Sequence, residues 1–311
     1  MADTDTHLPV LFHEALEALN IIPDGIYIDG TFGRGGHSGA ILKALGASGR
    51  LLAIDKDPDA IACAERLFAG DVRFKIIQGS FAELERIADA AGCSGRVNGV
   101  LLDLGVSSPQ FDRAERGFSF LNDGPLDMRM DNRSGVSAAD WLNSAGADAM
   151  AQVFKTYGEE RFARRIARAI VEARTVQPIM TTRQLSEIVS AANPSWEKGK
   201  HPATRCFQAI RIHVNRELED LKDCLDQSLR VLVPGGRLVV ISFHSLEDRI
   251  VKRFMRDAER GDRFPAGIPV TEQQRNSRLT LIGKAIKPSR QEVEANPRSR
   301  SAVLRVAERK Q

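Results

Sequence analysis

A short apolar segment that runs into a glycine-rich loop sets the strongest limit on how this chain can fold. Ile26–Ile28 ends in Asp29, and four glycines follow at positions 30, 33, 35 and 36. Residues 41–45 then carry apolar side chains at helical spacing. A strand, a glycine loop and a helix in this order are typical of the first crossover of a nucleotide-binding α/β sheet. An ordinary turn between a strand and a helix gives the same local pattern.

Three further apolar runs alternate with helical patterns after this crossover. These runs are Arg50–Asp55, Phe74–Ile77 and Gly99–Leu104. Asp57 followed by Pro58 predicts the start of a helix, since proline suits the first helical position. Residues 7–22 predict a helix before the first strand. The alternation indicates a parallel sheet with right-handed crossovers.

The alternation stops between about residue 112 and residue 205. Helical patterns replace it at Ala138–Trp141, Ala147–Phe154, Glu160–Ala173 and Thr182–Ala192. Thr181 and Gln184 fit a capping box for the last of these helices. We therefore predict a helical domain, residues 112–205, inserted into an α/β domain of residues 1–111 and 206–311.

The α/β pattern resumes after the insert. Apolar residues at steps of three and four from Phe207 to Leu232 predict one long helix. The remaining predicted elements are a buried strand at Arg237–Phe243, a helix at Leu246–Met255 and two β-like runs at Leu279–Ile286 and Ala302–Ala307. A closing antiparallel hairpin is typical of methyltransferase sheets rather than dehydrogenase sheets, by analogy at the level of fold.

Composition excludes several classes of protein. Of the 311 residues, 42% are hydrophobic and 27% are charged, which is typical of a soluble globular protein. The net charge of +3 is too small to indicate nucleic-acid binding by itself. The four cysteines are far apart and suggest neither a disulfide framework nor a zinc site, and we expect no metal. Because no apolar run approaches the ~18 residues of a membrane span, we expect a cytoplasmic protein.

A series of sequence blocks resembles the RsmH (MraW) family over nearly the whole chain. The blocks are His7–Leu11, Asp29–Ser38, Asp103–Gln110, Arg116–Phe120, Gly124–Asp131, Tyr157–Phe162, His201–Arg205, Ile241–Arg249 and Asn296–Ala302. Members of this family methylate N4 of a cytidine in 16S ribosomal RNA with S-adenosylmethionine. The resemblance implies a class I methyltransferase fold, which is a Rossmann-like α/β fold with a mostly parallel seven-stranded sheet. It also implies 16S rRNA, within the small ribosomal subunit, as the partner.

The predicted cofactor residues follow the first two strands. Asp55 ends the second strand, where a carboxylate can accept both ribose hydroxyls; a turn or helix-capping aspartate is the alternative. Gly33, Gly35 and Gly36 let the backbone approach the amino-acid tail. The resemblance adds His37, which without it would be interpreted as a helix cap or a solvated side chain.

Three further residues complete the cofactor site by resemblance: Phe81, Asp103 and Gln110. Phe81 follows the third strand, where a ring can stack on adenine, although a core phenylalanine is equally common there. Asp103 ends the fourth strand.

The catalytic hypothesis concerns Ser107, Ser108 and Pro109, with Asp103 nearby. The N4 lone pair of cytosine is delocalised into the ring, so acceptors aimed at the amino hydrogens favour the nucleophilic geometry. Many amino-methyltransferases carry a polar residue, two prolines and an aromatic residue at this point. Here the segment has one proline and no aromatic. Backbone carbonyls or hydroxyls of this segment either hold N4 or shape the cofactor pocket.

Basic residues suggest where RNA binds. Arg298 and Arg300 lie in a C-terminal block with an excess of basic side chains and are our predicted phosphate contacts. Arg161, Arg164, Arg165 and Arg168 form a stripe at helical spacing in the insert, which is either an RNA contact or a solvated face. His244, after the fifth strand, faces the target base or holds its own loop.

Three other functions compete with this interpretation. An amino-methyltransferase acting on DNA or a small molecule is one, and a dinucleotide-dependent dehydrogenase is another. The loop lacks the G-x-G-x-x-G spacing of the dehydrogenases. The third is a non-catalytic RNA-binding protein that keeps an unused cofactor pocket. Asp55, Asp103 and the glycine loop argue against the third.

Overall fold

The computed structural model describes residues 9–195, 199, 201–262, 271 and 273–311. Its internal contacts divide the chain into two compact units. Unit 1 comprises Met1–Gly105 and Leu218–Gln311, and unit 2 comprises Val106–Glu217. Unit 2 is therefore longer at both ends than the segment 112–205 of the sequence-based division.

The first part of unit 1 alternates helices and strands. Its elements are α1 Phe12–Leu19, β1 Ile26–Asp29, α2 Gly36–Ala44, β2 Arg50–Asp55, α3 Pro58–Leu67, β3 Phe74–Gln78, α4 Leu84–Ala90 and β4 Val97–Asp103. The four predicted strands are confirmed. The helix predicted over residues 7–22 is shorter, because Leu11 and Asn20 adopt left-handed backbone conformations on either side of α1. Its first two residues lie outside the described residues.

Unit 2 is helical in its described part. Its helices are α5 Ser108–Asp112, α6 Ala138–Ser144, α7 Ala147–Gly158, α8 Ala163–Val176, α9 Thr182–Ala192 and α10 Thr204–Asn215. Fully buried side chains such as Phe154, Ile166 and Leu185 form one apolar cluster within this unit. The predicted capping box of Thr181 and Gln184 is confirmed at the start of α9.

The remaining elements belong to the second part of unit 1, although Glu217, the first residue of α11, is counted with unit 2. They are α11 Glu217–Val231, β5 Leu232–Ser242, α12 Ser245–Arg260, β6 Leu279–Leu281, α13 Arg290–Ala295 and β7 Val303–Arg309. The β-like run Leu279–Ile286 yields only the short β6 and one isolated bridge from Ile286 to Leu304.

The prediction of one long helix from Phe207 to Leu232 is wrong. Arg216, at φ 55°, separates α10 from α11. The side-chain amide of Asn215 donates to the carbonyl of Met128 at 2.7 Å and accepts the N–H of Met130 at 2.7 Å. These bonds fix the end of α10, so the helix stops although the apolar repeat continues.

The seven strands form one sheet in the order β3-β2-β1-β4-β5-β7-β6. Strands β1 to β5 pair in parallel, whereas β7 is antiparallel to both β5 and β6. The mostly parallel seven-stranded sheet and its antiparallel closing hairpin are thus confirmed. The strand order reverses at β1, and ligands of such sheets bind beyond the carboxyl ends at this point. No described helix is both long and apolar enough to cross a membrane.

Candidate cofactor-binding and active site

An aspartate stands at the carboxyl end of each of β1, β2 and β4: Asp29, Asp55 and Asp103. These ends are adjacent, since β1 lies between β2 and β4 in the sheet. Hydrogen bonds join them through the glycine loop. The N–H of Asp103 donates to Thr31 Oγ1 at 2.7 Å, and the N–H of Gly33 donates to Asp55 Oδ2 at 2.8 Å. The structure therefore brings Asp55, Asp103 and the loop to one edge of the sheet.

The side chain of Asp29 holds the glycine loop in place through hydrogen bonds. Its carboxylate accepts the hydroxyl of Ser38 at 2.6 Å and the N–H of Thr31 at 3.1 Å. Burial raises the pKa of Asp29, and the bond from Ser38 opposes this effect. From the sequence, Asp29 was recognised only as the end of a strand, while Thr31 and Ser38 had no assigned role.

The glycines of the loop serve the packing of unit 1 itself. Gly35 has φ 79°, and a Cβ atom there would lie 2.7 Å from the ring of Phe32. A Cβ atom on Gly36 would lie 2.5 Å from the Pro9 side chain. Gly33 also has a positive φ of 56°, but its nearest neighbour would be 3.9 Å away. Close packing therefore requires Gly35 and Gly36, whereas Gly33 is required by its backbone conformation.

We expect Gly35→Ala to lower the free energy of unfolding by about 2–4 kcal/mol, because left-handed strain and overpacking add. Gly70→Ala is the matched control, since Gly70 has φ 82° and open space around its Cβ position. That variant should lose about 1 kcal/mol. Urea titration of both variants measures the difference. If both variants lost the same free energy of unfolding, the close contacts around Gly35 would contribute nothing to the cost of the substitution.

His37 and Asp103 carry buried polar atoms that make no hydrogen bond within the described residues. His37 Nε2 lies 3.5 Å from Asp103 Oδ2, and the His37 ring stacks on Phe12. Both ring nitrogens of His37 and Oδ1 of Asp103 are buried without a hydrogen bond. Burial works to lower the pKa of His37, yet the facing carboxylates of Asp103 and Asp29 raise it overall. Unsatisfied buried groups of this kind are typical of a binding site that has polar ligands to accommodate.

Asp55 holds two loops with its two carboxylate oxygens. Oδ2 accepts the N–H of Gly33, and Oδ1 accepts the N–H of Asp57 at 2.8 Å. Burial raises the pKa of Asp55 to about 6, although these two bonds oppose the effect. Asp55 therefore has the turn-stabilising role that was the alternative considered from the sequence. The ribose role stays a prediction, for which each oxygen keeps further acceptor capacity.

The pKa of Asp55 predicts how cofactor affinity depends on pH. The ionised carboxylate accepts hydroxyl hydrogens best, so affinity should fall as pH drops through about 6. Between pH 7 and pH 5 we expect the Kd for S-adenosylmethionine to rise about tenfold. Calorimetry at several pH values measures this change. The dependence of this Kd on pH should be weaker in Asp55→Asn. An equally steep dependence in that variant would assign the effect to another titrating group.

A network of an ion pair and hydrogen bonds joins the loops that follow β2 and β3, and it was not predicted from the sequence. Asp220 Oδ2 lies 2.6 Å from Lys56 Nζ and accepts the hydroxyl of Ser80 at 2.6 Å. Ser80 Oγ in turn accepts the N–H of Ala82 at 3.1 Å. These bonds connect α11 to the loops that follow β2 and β3. Lys56 and Ser80 could have been suspected from their places after strands, but Asp220 lies 140 residues beyond Ser80.

Phe81 lies within this supported loop. Its side chain is partly buried and packs against an apolar core cluster of unit 1. The alternative of a core phenylalanine thus accounts for its inner contacts. Stacking of its ring on adenine stays a prediction.

The segment Ser107–Gln110 lies in unit 2 and opens α5. Ser107 is the residue that precedes the helix, and Pro109 lies in its first turn. The N–H of Ser107 donates to Oε1 of the buried Gln110 at 2.9 Å. Gln110 therefore has a capping role that the sequence did not predict. The catalytic role of Ser107, Ser108 and Pro109 and the cofactor role of Gln110 stay predictions.

Three of the remaining predicted residues, Arg298, Arg300 and His244, lie on loops of unit 1. Arg298 and Arg300 are exposed on a 3₁₀ turn, on either side of the buried Ser299. His244 precedes α12, where its Nδ1 accepts the N–H of Glu247 at 3.4 Å. His244 thus holds its own loop, as one of the two sequence-based interpretations expected.

The residues at this edge fit a cationic ligand with polar groups. Asp55 and Asp103 lie at strand ends on either side of β1, and buried atoms of His37 and Asp103 have no hydrogen bond within the described residues. A sulfonium and an ammonium group suit such carboxylates, and a ribose diol suits Asp55.

Comparison with known proteins decides the family. The sequence pattern of the MraW methylase family matches residues 4–310. The chain belongs to this family. Its mostly parallel seven-stranded sheet is the fold expected for this family, and S-adenosylmethionine is the cofactor that we propose for it.

Two sequence relatives agree with the assignment to the MraW methylase family. The chain is 59% identical over 303 residues to "Ribosomal RNA small subunit methyltransferase H" of Legionella pneumophila (strain Paris), covering 97% of this chain and 98% of that one. It is 61% identical over 304 residues to the protein of the same name from Thioalkalivibrio sulfidiphilus, covering 97% of each. The crystal structure of an rRNA methylase from Streptococcus thermophilus aligns over 100% of this chain and 99% of its own, with TM-score 0.43 and 11% identity.

Proposed function

We propose that the protein is an rRNA (cytosine-N4-)-methyltransferase that modifies a cytidine in the decoding centre, near the P site, of 16S rRNA. The observation that carries this proposal is its 59–61% identity to proteins named for methylation of small-subunit ribosomal RNA. The proposed setting is the cytoplasm, with the small ribosomal subunit as the partner.

The proposed chemistry concerns a weak nucleophile. S-adenosylmethionine, when bound, supplies a methyl group that is already activated. The chain must therefore orient the amino group of the base and accept its hydrogens. Asp103 is the first candidate, since its buried Oδ1 lacks a partner among the described residues. An acceptor fixed in advance in a dry site stabilises developing charge at little reorganisation cost. We assign a supporting acceptor role to Ser107–Pro109.

Recognition of RNA is assigned to two regions. Arg298 and Arg300 are exposed, and we propose that they contact phosphates. We propose that unit 2 receives the segment of RNA that carries the target base. The base must be unpaired or flipped to reach the methyl group.

Mass mapping of small-subunit rRNA from cells with and without this protein tests the proposal. We expect one cytidine of the decoding centre to lose a methyl group in its absence. An unchanged small-subunit map, with a methyl group lost from another nucleic acid, would favour the alternative of a different nucleic-acid substrate. A protein that binds RNA but shows no heat of binding with S-adenosylmethionine would favour a non-catalytic RNA-binding protein.

A further inference from the structure

Two sequence blocks outside the site described above, Tyr157–Phe162 and His201–Arg205, meet around one cavity of about 120 Å³ within unit 2. The lining includes Glu160, Arg161, Phe162, His201, Thr204 and Arg205. Gly158 permits the close approach of the two blocks, because a Cβ atom there would lie 2.6 Å from the carbonyl oxygen of Arg205. The cavity is therefore a joint product of both blocks.

The first wall combines a buried acid with a cation and a ring. Glu160 is 6% exposed, and its Oε1 accepts the N–H of Phe162 at 2.8 Å. This bond fixes the turn that leads into α8. The guanidinium of the exposed Arg161 lies 5.4 Å from the centroid of the Phe162 ring. The wall thus offers a carboxylate, a positive charge and an aromatic surface in three successive residues.

The second wall adds another ring and another cation. The His201 ring stacks on Phe120 with centroids 4.5 Å apart, and its Nδ1 accepts the N–H of Ala203 at 3.2 Å. Arg205 Nη1 donates to the carbonyl of Glu159 at 2.7 Å, which links the second wall to the first. The orientation of both His201 and Arg205 is therefore set by the fold of unit 2.

We propose that this cavity binds one unpaired nucleotide of the RNA substrate. Two guanidinium groups suit its phosphate, and the two rings provide stacking surfaces. The Glu160 carboxylate can accept hydrogens from an amino group on a base edge, as acidic side chains do for cytosine N4. The volume is comparable with roughly 150 Å³ cavities that accept a benzene ring, so it suits a single ring and not a base pair. This inference rests on the proposed function.

Binding of a fluorescent, unstructured RNA that contains cytidines tests this site at several salt concentrations. Phe162→Leu should weaken binding about fivefold or more through lost stacking, without changing the salt dependence. Arg161→Ala should weaken binding and reduce the slope of log K against log salt by about 0.7. Arg183→Ala is the matched control, since Arg183 is an exposed arginine of unit 2 outside this lining and should bind within twofold of the wild type.

All three variants should keep a cooperative thermal transition and the wild-type Kd for S-adenosylmethionine, which excludes loss of the fold. Wild-type affinity for RNA in both Phe162→Leu and Arg161→Ala would overturn the nucleotide site while leaving the proposed function intact, provided that wild-type protein methylates the rRNA. The nucleotide site would also be overturned if the variants bound assembled small subunits more weakly than the wild type does but bound free RNA equally well. That result would indicate a ribosomal protein as the occupant of the cavity. A wild-type protein that neither binds nor methylates rRNA would reject the proposed function and this site together.

Discussion

Asp103→Asn is expected to lower kcat for methyl transfer about 100- to 1000-fold, the range seen when a preorganised group that stabilises developing charge is removed. The carboxylate carries a buried, unpartnered Oδ1 and lies 3.5 Å from His37. Asparagine keeps the shape but loses the negative charge. The loss should therefore appear in the chemical step and not in the stability of unit 1.

Single-turnover kinetics with saturating cofactor separates this effect from cofactor binding. Asp89→Asn is the matched control, since Asp89 is exposed on α4. It should react at the wild-type rate. A rate for Asp103→Asn within tenfold of wild type, or a loss that disappears at high cofactor concentration, would remove Asp103 from the chemical step.

Asp55→Ala is expected to weaken the binding of S-adenosylmethionine about 100-fold. The carboxylate fixes Gly33 and Asp57 through two backbone N–H groups and is our predicted acceptor for the ribose hydroxyls. Hydrogen bonds to a charged group contribute about 1.5–3 kcal/mol each. A loss of about 3 kcal/mol corresponds to roughly a hundredfold change in Kd. Calorimetry measures the change directly.

A cofactor analogue without the ribose 2′-hydroxyl separates the ribose role from the loop role. In the wild type the analogue should bind more weakly than S-adenosylmethionine, whereas in Asp55→Ala the two should bind alike. Circular dichroism of the variant checks that its fold is kept. If the analogue loses equal affinity in both proteins, Asp55 only holds its loops and the ribose assignment is wrong.

Local patterns predicted most of the secondary structure. Arg50–Asp55 and Thr182–Ala192 match β2 and α9 residue for residue, because one is a continuous apolar run and the other has a capping signal. The break at Arg216 was missed because the apolar repeat continues across it. What ends α10 is the bonding of Asn215 to Met128 and Met130, which lie more than 80 residues away in sequence. Such contacts leave no local pattern.

The candidate site likewise has features that local sequence patterns predicted and features that depend on distant contacts. The aspartates were predictable because strand ends of a parallel sheet converge, and the structure brings Asp55 and Asp103 together as expected. The support that Asp220 gives to Ser80 and Lys56 was not predictable, since it depends on how α11 packs. The interpretation of the glycines was incomplete, because Gly35 and Gly36 are required by Phe32 and Pro9 as well as by any ligand.

The most direct test of the account is the product of methyl transfer from isotopically labelled S-adenosylmethionine to small-subunit rRNA by the purified protein. Nucleoside mass spectrometry of the digested RNA identifies the labelled base and atom. We predict label in N4-methylcytidine from one decoding-centre position, at least 100-fold reduced with Asp103→Asn. Label on a carbon or ribose oxygen, or no label in RNA from a folded, cofactor-binding protein, would contradict it.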